Sequence, residues 1–306
     1  MVSLDSILSR RELFKLGGIT AAYLVIPASE DRLRALTPLI KQRQQFLDQL
    51  VEKELSPYAG RVIYDHNRSL SMETSNLHAR RTLDDPQALR YFLKYPDYFP
   101  RNFNLTEEQI KGIEEVPKLI KDLIAFIVQI VQIDKPHDAY AVVKPYPSDF
   151  GKGVKPDIFV FGGIFEKLFI ETPQKVIEIP IEERVRATLQ HEYTHAEDNY
   201  KGINLGEGLV IDNSNHFDIH PRVKKFVIES RGYSRAVEFS RQFGRDHPVY
   251  WFELGQLVSN MAGIYNKDIR DRKFTPYETR LIEFQKKKVD DINQETKRIF
   301  EKYKLK

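Results

Sequence analysis

Cysteine is missing altogether from the 306 residues, which removes disulfide frameworks, thiolate metal sites and cysteine nucleophiles in one step. That absence leaves the compartment open, because a chain without thiols tolerates oxidising and reducing surroundings alike. Charge of one sign is scarce too. With 47 Lys and Arg against 44 Asp and Glu the formal net charge is +3, and the two signs are interspersed. No basic stripe marks a nucleic-acid partner. There is no internal repeat, no low-complexity segment and no apolar run of the ~20 residues that a stable membrane span needs. Leu119 to Ile133 is apolar almost all round but short, and reads as a buried core helix. What remains, 41% apolar and 30% charged, is an ordinary globular composition, long enough for one large domain or two modest ones.

The N-terminal segment carries the first positive signal. Ser9-Arg10-Arg11-Glu12-Leu13-Phe14-Lys15 precedes a weakly apolar stretch from Leu16 to Ala28. The pattern resembles the twin-arginine export signal, with Leu13 and Phe14 in swapped order. The resemblance implies a signal segment over 1–28 and an exported, periplasmic or extracellular protein. The alternative is an amphipathic helix with an exposed arginine pair.

Periodicity organises the rest. Apolar residues recur at helical spacing from Ser29 to Leu55, and Asp84-Asp85-Pro86 is a helix start. Tyr91, Phe92, Tyr95, Tyr98, Phe99 and Phe103 read as loop anchors, and Leu105-Thr106-Glu107-Glu108 opens another helix. Strands are expected at Ala139–Val143, Asp157–Phe161 and Val176–Ile179, each bounded by Pro or Gly. Pro180 then starts a helix, and a Gly- and Asn-rich connection follows from Lys201 to Pro221. Further helices are expected at Val223–Phe243, Tyr250–Tyr265 and from Thr275 onward, where Thr275-Pro276-Tyr277-Glu278 is a capping box. Ile282, Val289, Ile292 and Ile299 in the last helix should dock on its own domain rather than form an oligomer seam. Helices, a small sheet and then helices make an α+β order. The division is a helical region over 29–135, a core over 136–245 and C-terminal helices over 246–306.

The chemistry concentrates in His191-Glu192-Tyr193-Thr194-His195. Two histidines four apart project from one face of a helix about a turn apart, and two imidazoles so placed can hold one zinc ion. Glu192 points slightly round the helix, where its carboxylate reaches an attacking water as a general base without being a ligand.

A catalytic zinc normally has a third protein ligand. The downstream candidates are Glu207, Asp212, His216, Asp218, His220, Glu229 and Glu238. Glu229 stands out, because Phe226, Glu229, Tyr233 and Ala236 share a helical face and an acid on an apolar face needs a partner. Gly232 beside it would let the histidine helix approach closely. A salt bridge from Glu229 to Arg231 or Arg235 is the alternative. Asp218, His216 and His220 are the next candidates. Tyr233 could donate a hydrogen bond to a tetrahedral intermediate, or simply pack its ring and bond a backbone carbonyl. Asn199, four residues past His195, could orient that ring, and Glu197 and Asp198 could tether loops.

The pairing of this motif with Glu229 resembles the gluzincin metallopeptidases, whose third ligand is a Glu on the helix after the motif helix. Glu229-Ser230-Arg231-Gly232-Tyr233 is also similar to the Glu-x-x-Ala-Tyr of smaller zincins, with Gly for Ala. Asp198 and Lys201 stand where metzincins have Gly and His, which excludes that subclass. Tyr233 occupies the Asp position of the thermolysin-like branch, so a partner orienting one histidine is unassigned. The resemblance implies a zincin fold, with a small mixed sheet packed on the motif helix between helical N- and C-terminal parts. It implies Zn2+ on His191, His195 and Glu229, and hydrolysis of a peptide or protein substrate. Zincins lay an extended peptide on a sheet edge, and Ile158–Phe161 before Gly162-Gly163 is either that edge or a purely structural strand. A hydrolase of non-peptide amides and a non-catalytic binding protein on the same fold stay open. Nothing in the sequence bears on oligomeric state.

Overall fold

The computed structural model describes residues 30–54, 60–66, 68–95 and 140–303. The expected export signal, the helices beginning at Leu105 and Leu119, and the aromatics from Tyr98 to Phe103 lie outside the described residues. The chain divides into two compact units, one of 1–46 and 72–137, the other of 47–71 and 138–306.

Helix α1 (Glu30–Glu54) runs through Pro38. A short strand β1 (Val62–Tyr64) and helix α2 (Ser69–Asp84), both unanticipated, follow. Asp65 caps α2, its carboxylate accepting from the Ser71 amide at 2.8 Å. Asp85 does the same for α3 (Pro86–Lys94), accepting from the amides of Gln87 and Ala88 at 2.9 and 3.1 Å. The expected start at Asp85-Pro86 is therefore present.

In the larger unit, β2 (Ala141–Val143) and β3 (Ile158–Val160) join β1 in a mixed sheet of order β1-β3-β2. β1 runs parallel to β3 and β2 antiparallel to it. β3 is fully buried and hydrogen-bonded on both sides, so Ile158–Phe161 is a central strand and not the free edge considered for a substrate. The pairing of β1, which the sequence reading left out, closes that edge. A hairpin of β4 (Leu168–Glu171) and β5 (Val176–Ile179) leads into α4 (Ile181–Lys201), the motif helix.

α4 begins at Pro180, has Glu182 and Glu183 in its first turn, where acids suit the helix dipole, and stops at Gly202. Gly202 holds φ +78°, and a Cβ there would lie 2.9 Å from the Ile211 carbonyl oxygen, so glycine alone fits this reversal. The chain then makes a second hairpin, β6 (Ile203–Gly206) and β7 (Leu209–Ile211), inside the Gly- and Asn-rich stretch expected to be a connection. Helices α5 (Pro221–Ser240), α6 (Pro248–Ile264) and α7 (Pro276–Tyr303) complete the unit.

One apolar core joins β6, β7, α5, α6 and α7 through Ile203, Ile211, Phe226, Tyr250, Leu254 and Leu281. Ile282, Val289 and Ile299 are buried in it, so the near-heptad face of α7 docks on its own unit as expected. Thr275 and Glu278 form the capping box, with bonds of 2.9 Å from the Thr275 amide and 3.3 Å to the Thr275 hydroxyl. The architecture is α+β, with long helices and small separate sheets. Among the described residues no helix is long and apolar enough to cross a membrane.

Candidate metal centre

Helices α4 and α5 pack along one another, and the charged cluster lies in their seam. Each helix is held at its start. Arg184, in the first turn of α4, donates through Nη2 to the Ile164 carbonyl at 2.6 Å and to that of Glu166, which ties α4 to the turn after β3. Pro221 opens α5, and the His220 ring accepts from the Arg222 amide at 3.1 Å. Arg222 forms a buried pair with Asp268, which Lys225 joins at 3.6 Å.

The two motif histidines face a single carboxylate. Glu229 Oε2 lies 3.6 Å from His191 Nε2 and 3.7 Å from His195 Nε2. The imidazole rings stand 4.4 Å apart and nearly perpendicular. Both His side chains are 11% exposed and that of Glu229 is 28%, so the cluster is recessed but reachable from solvent. Gly232 explains the closeness. A Cβ there would meet His195 Cε1 at 2.7 Å and His191 Cε1 and Nε2 at 3.0 Å. The α5 backbone therefore rests directly on the two rings. Arg231, one of the alternative partners of Glu229, binds Asp198 instead.

Glu192 is buried, and among the described residues it has no hydrogen bond or ion pair. One ligand atom each from His191, Glu192 and His195 lies within 4.8 Å of the others, so Glu192 also borders the space between the rings. The shorter separations belong to Glu229, which makes it the better third donor and leaves Glu192 beside the centre. Tyr233 packs its ring against His191, centroids 4.4 Å apart at 71°. Its hydroxyl has no hydrogen-bond partner among the described residues, so the backbone-bonded alternative is not what the structure holds.

The electrostatics favour positive charge at this point. Burial pushes the Glu229 carboxyl up, but the imidazoles of His191 and His195, 3.6 and 3.7 Å away, outweigh it and hold that group far below the usual carboxylate range. Burial likewise lowers His195, yet Glu229, Glu192 and Asp198 together raise its ring to about 9. Burial and the negative charges of Glu229, Glu192 and Glu253 push the Tyr233 phenol well up, so it keeps its proton and can donate it in a hydrogen bond.

The donor set suits zinc, which accepts imidazole nitrogen and carboxylate oxygen at ~2.0–2.2 Å. Two such bonds at a tetrahedral angle place donor atoms roughly 3.4 Å apart. The observed 3.6 and 3.7 Å are within a few tenths of that.

The other candidates do not join the cluster. His216 is buried, with Nδ1 3.1 Å from the Asp212 carbonyl and Nε2 3.1 Å from the Pro147 carbonyl. His220 is the α5 cap, and Asp218 is exposed. Asn199 donates to the backbone carbonyl of His195 at 2.8 Å, so it braces the helix and does not orient the ring. Glu197 makes an exposed pair with Lys201 at 2.5 Å. The link between Asp198 and Arg231 escaped the sequence reading, although Asp198 follows His195 by one helical turn. Compared with family models, with curated protein sequences and with solved structures, the chain finds no match in any of the three.

Proposed function

We propose that this protein is a zinc-dependent hydrolase of the gluzincin type, acting on peptide bonds, with His191, His195 and Glu229 as metal ligands and Glu192 as general base. One observation carries the reading: both motif imidazoles present Nε2 to the same Glu229 oxygen, at 3.6 and 3.7 Å, beside a buried and unpaired Glu192. Zinc in this position supplies Lewis acidity that polarises the scissile carbonyl and acidifies water. The chain's residues do the rest. Glu192 takes a proton from the attacking water as its oxygen bonds to the carbonyl carbon. The same proton passes to the departing nitrogen as the C–N bond breaks, leaving a carboxylate product and an amine. Tyr233, kept protonated, donates its phenolic hydrogen toward the oxyanion.

The small mixed sheet beside α4, and the acid on the next helix, support a zincin arrangement. Peptide as substrate class rests on the family resemblance. Export by the twin-arginine route rests on Arg10 and Arg11, and replacing both with Lys should hold the protein in the cytoplasm.

The test is zinc content and cleavage of a broad peptide mixture by the protein and by Glu192→Gln. Both should carry about one zinc, with cleavage down ~10²–10⁴-fold in the variant. A parent that binds no zinc overturns the metal centre. Bound zinc without cleavage overturns the peptidase reading in favour of a non-peptide amide substrate or a binding role.

A further inference from the structure

We propose that Asp198 and Arg231 form a positioning clamp that sets the register of α5 on α4, and so delivers Glu229 to the two histidines. The inference rests on the zinc reading above. Asp198 is 1% exposed and lies on α4, one turn beyond His195. Arg231 lies on α5, two residues beyond Glu229. Its Nε donates to both Asp198 carboxylate oxygens, at 3.1 and 2.9 Å, and Nη2 reaches Oδ1 at 2.8 Å. A guanidinium fork on a carboxylate fixes direction as well as distance, which a single contact does not.

Two features of the seam give this clamp something to do. Where the rings meet α5 the residue is Gly232, which offers no side chain to interlock the helices at that point, leaving the Tyr233 ring against His191 to do so beside it. A slip of a fraction of a turn would carry Glu229 away from both Nε2 atoms. The pair is also a poor stabiliser, because burying Asp198 offsets much of what the ion pair returns. Burial does push the Asp198 carboxyl up against the pull of Arg231. A pair that adds little stability but ties the two ligand-bearing helices is better explained by register.

The test uses the full chain, with zinc affinity read by competition against a chromophoric chelator and the ligand field read by cobalt absorption. Arg231→Gln and Asp198→Asn should each weaken zinc ~10–100-fold and shift the cobalt bands toward those of Glu229→Gln. Arg231→Lys, at a side chain 27% exposed, keeps the charge without the fork and should fall between. In a Glu229→Gln background the Arg231→Gln change should have little further effect, because the clamp acts through Glu229. The proposal is overturned if Arg231→Gln binds zinc as the parent does, or if it loses the same factor with Gln at 229. A parent that binds no zinc overturns the site reading and the clamp with it, whereas a zinc-binding parent with unaffected variants overturns the clamp alone.

Discussion

Two histidine pairs in this chain share one spacing and meet opposite fates. His191 and His195 are four apart, as are His216 and His220, and an acidic residue lies inside each pair. The first pair sits within α4, so the helix turns both rings to one side and both Nε2 atoms converge on Glu229. The second pair sits in the turn before α5, where nothing aligns the rings. The backbone claims them: carbonyls of Asp212 and Pro147 flank His216, and His220 accepts from the first turn of α5. Burial lowers the His216 ring to about 4, with Lys224 adding to the effect, whereas carboxylates raise His195 to about 9. Equal spacing, then, does not make equal sites. The secondary structure beneath the spacing decides whether imidazoles collect a cation or serve as backbone caps.

The comparison breaks if the pairs can be exchanged in function. His191→Ala and His195→Ala should each abolish stoichiometric zinc binding and cleavage, while His216→Ala and His220→Ala keep about one zinc per chain. Zinc lost from the His216 variant and kept by the His195 variant would reverse the assignment. Gly232→Ala probes the first pair alone. Better helix propensity returns about 1 kcal/mol, while crowding the rings costs about 1–3 kcal/mol. Net stability should therefore fall by between zero and about 2 kcal/mol, and zinc affinity should fall at least about tenfold because the new methyl displaces the donors. Urea unfolding beside a metal titration separates the two effects. The smallest expected effect belongs to the second pair. Folded, His216 stays neutral down to about pH 4, whereas the unfolded chain protonates it near 6.5, so the unfolded state gains the proton first on acidification. The charged groups bearing on it are Lys224, which opposes the proton, and Asp212. The His216 contribution to stability should be complete above about pH 7 and fall by about 2 kcal/mol at pH 5, apart from the separate rise above pH 7 due to Lys224, which burial lowers to about 7. His216→Gln should flatten that slope relative to the parent.

The long elements were legible because they repeat their signals. Pro180 and Pro221 lie at helix starts, Thr275 and Glu278 make a capping box, and α7 buries the apolar row that its spacing marks. β2 and β3 lie where strands were expected, but β1, three residues long, is too short to show alternation. The hairpin of β6 and β7 does alternate, with Ile203, Leu205, Leu209 and Ile211 buried, but Gly206, Gly208 and Asn204 disguise it as a loop. At the site, the face shared by Glu229 and Tyr233 and the close approach at Gly232 followed from helical spacing. The partner of Arg231 did not follow, because Glu229 is nearby in sequence while Asp198 is nearby only after α4 and α5 have packed. The fate of His216 was hidden for the same reason, since Pro147 and Phe150 reach it from nearly seventy residues upstream, whereas the His220 cap on the Arg222 amide is local.

Glu278 has a consequence in time. One of its oxygens completes the start of its own helix through Thr275, and the other accepts from the His220 amide at 2.6 Å, ahead of the helix that bears Glu229. On the ribosome the three metal-facing residues emerge well before that carboxylate and before the α7 residues that cover α5. A nascent chain can thus display all three side chains while the helix presenting one of them still lacks the Glu278 contact and its α7 cover. If His191, His195 and Glu229 hold zinc as proposed, its capture would follow the finishing of synthesis rather than the appearance of the ligands.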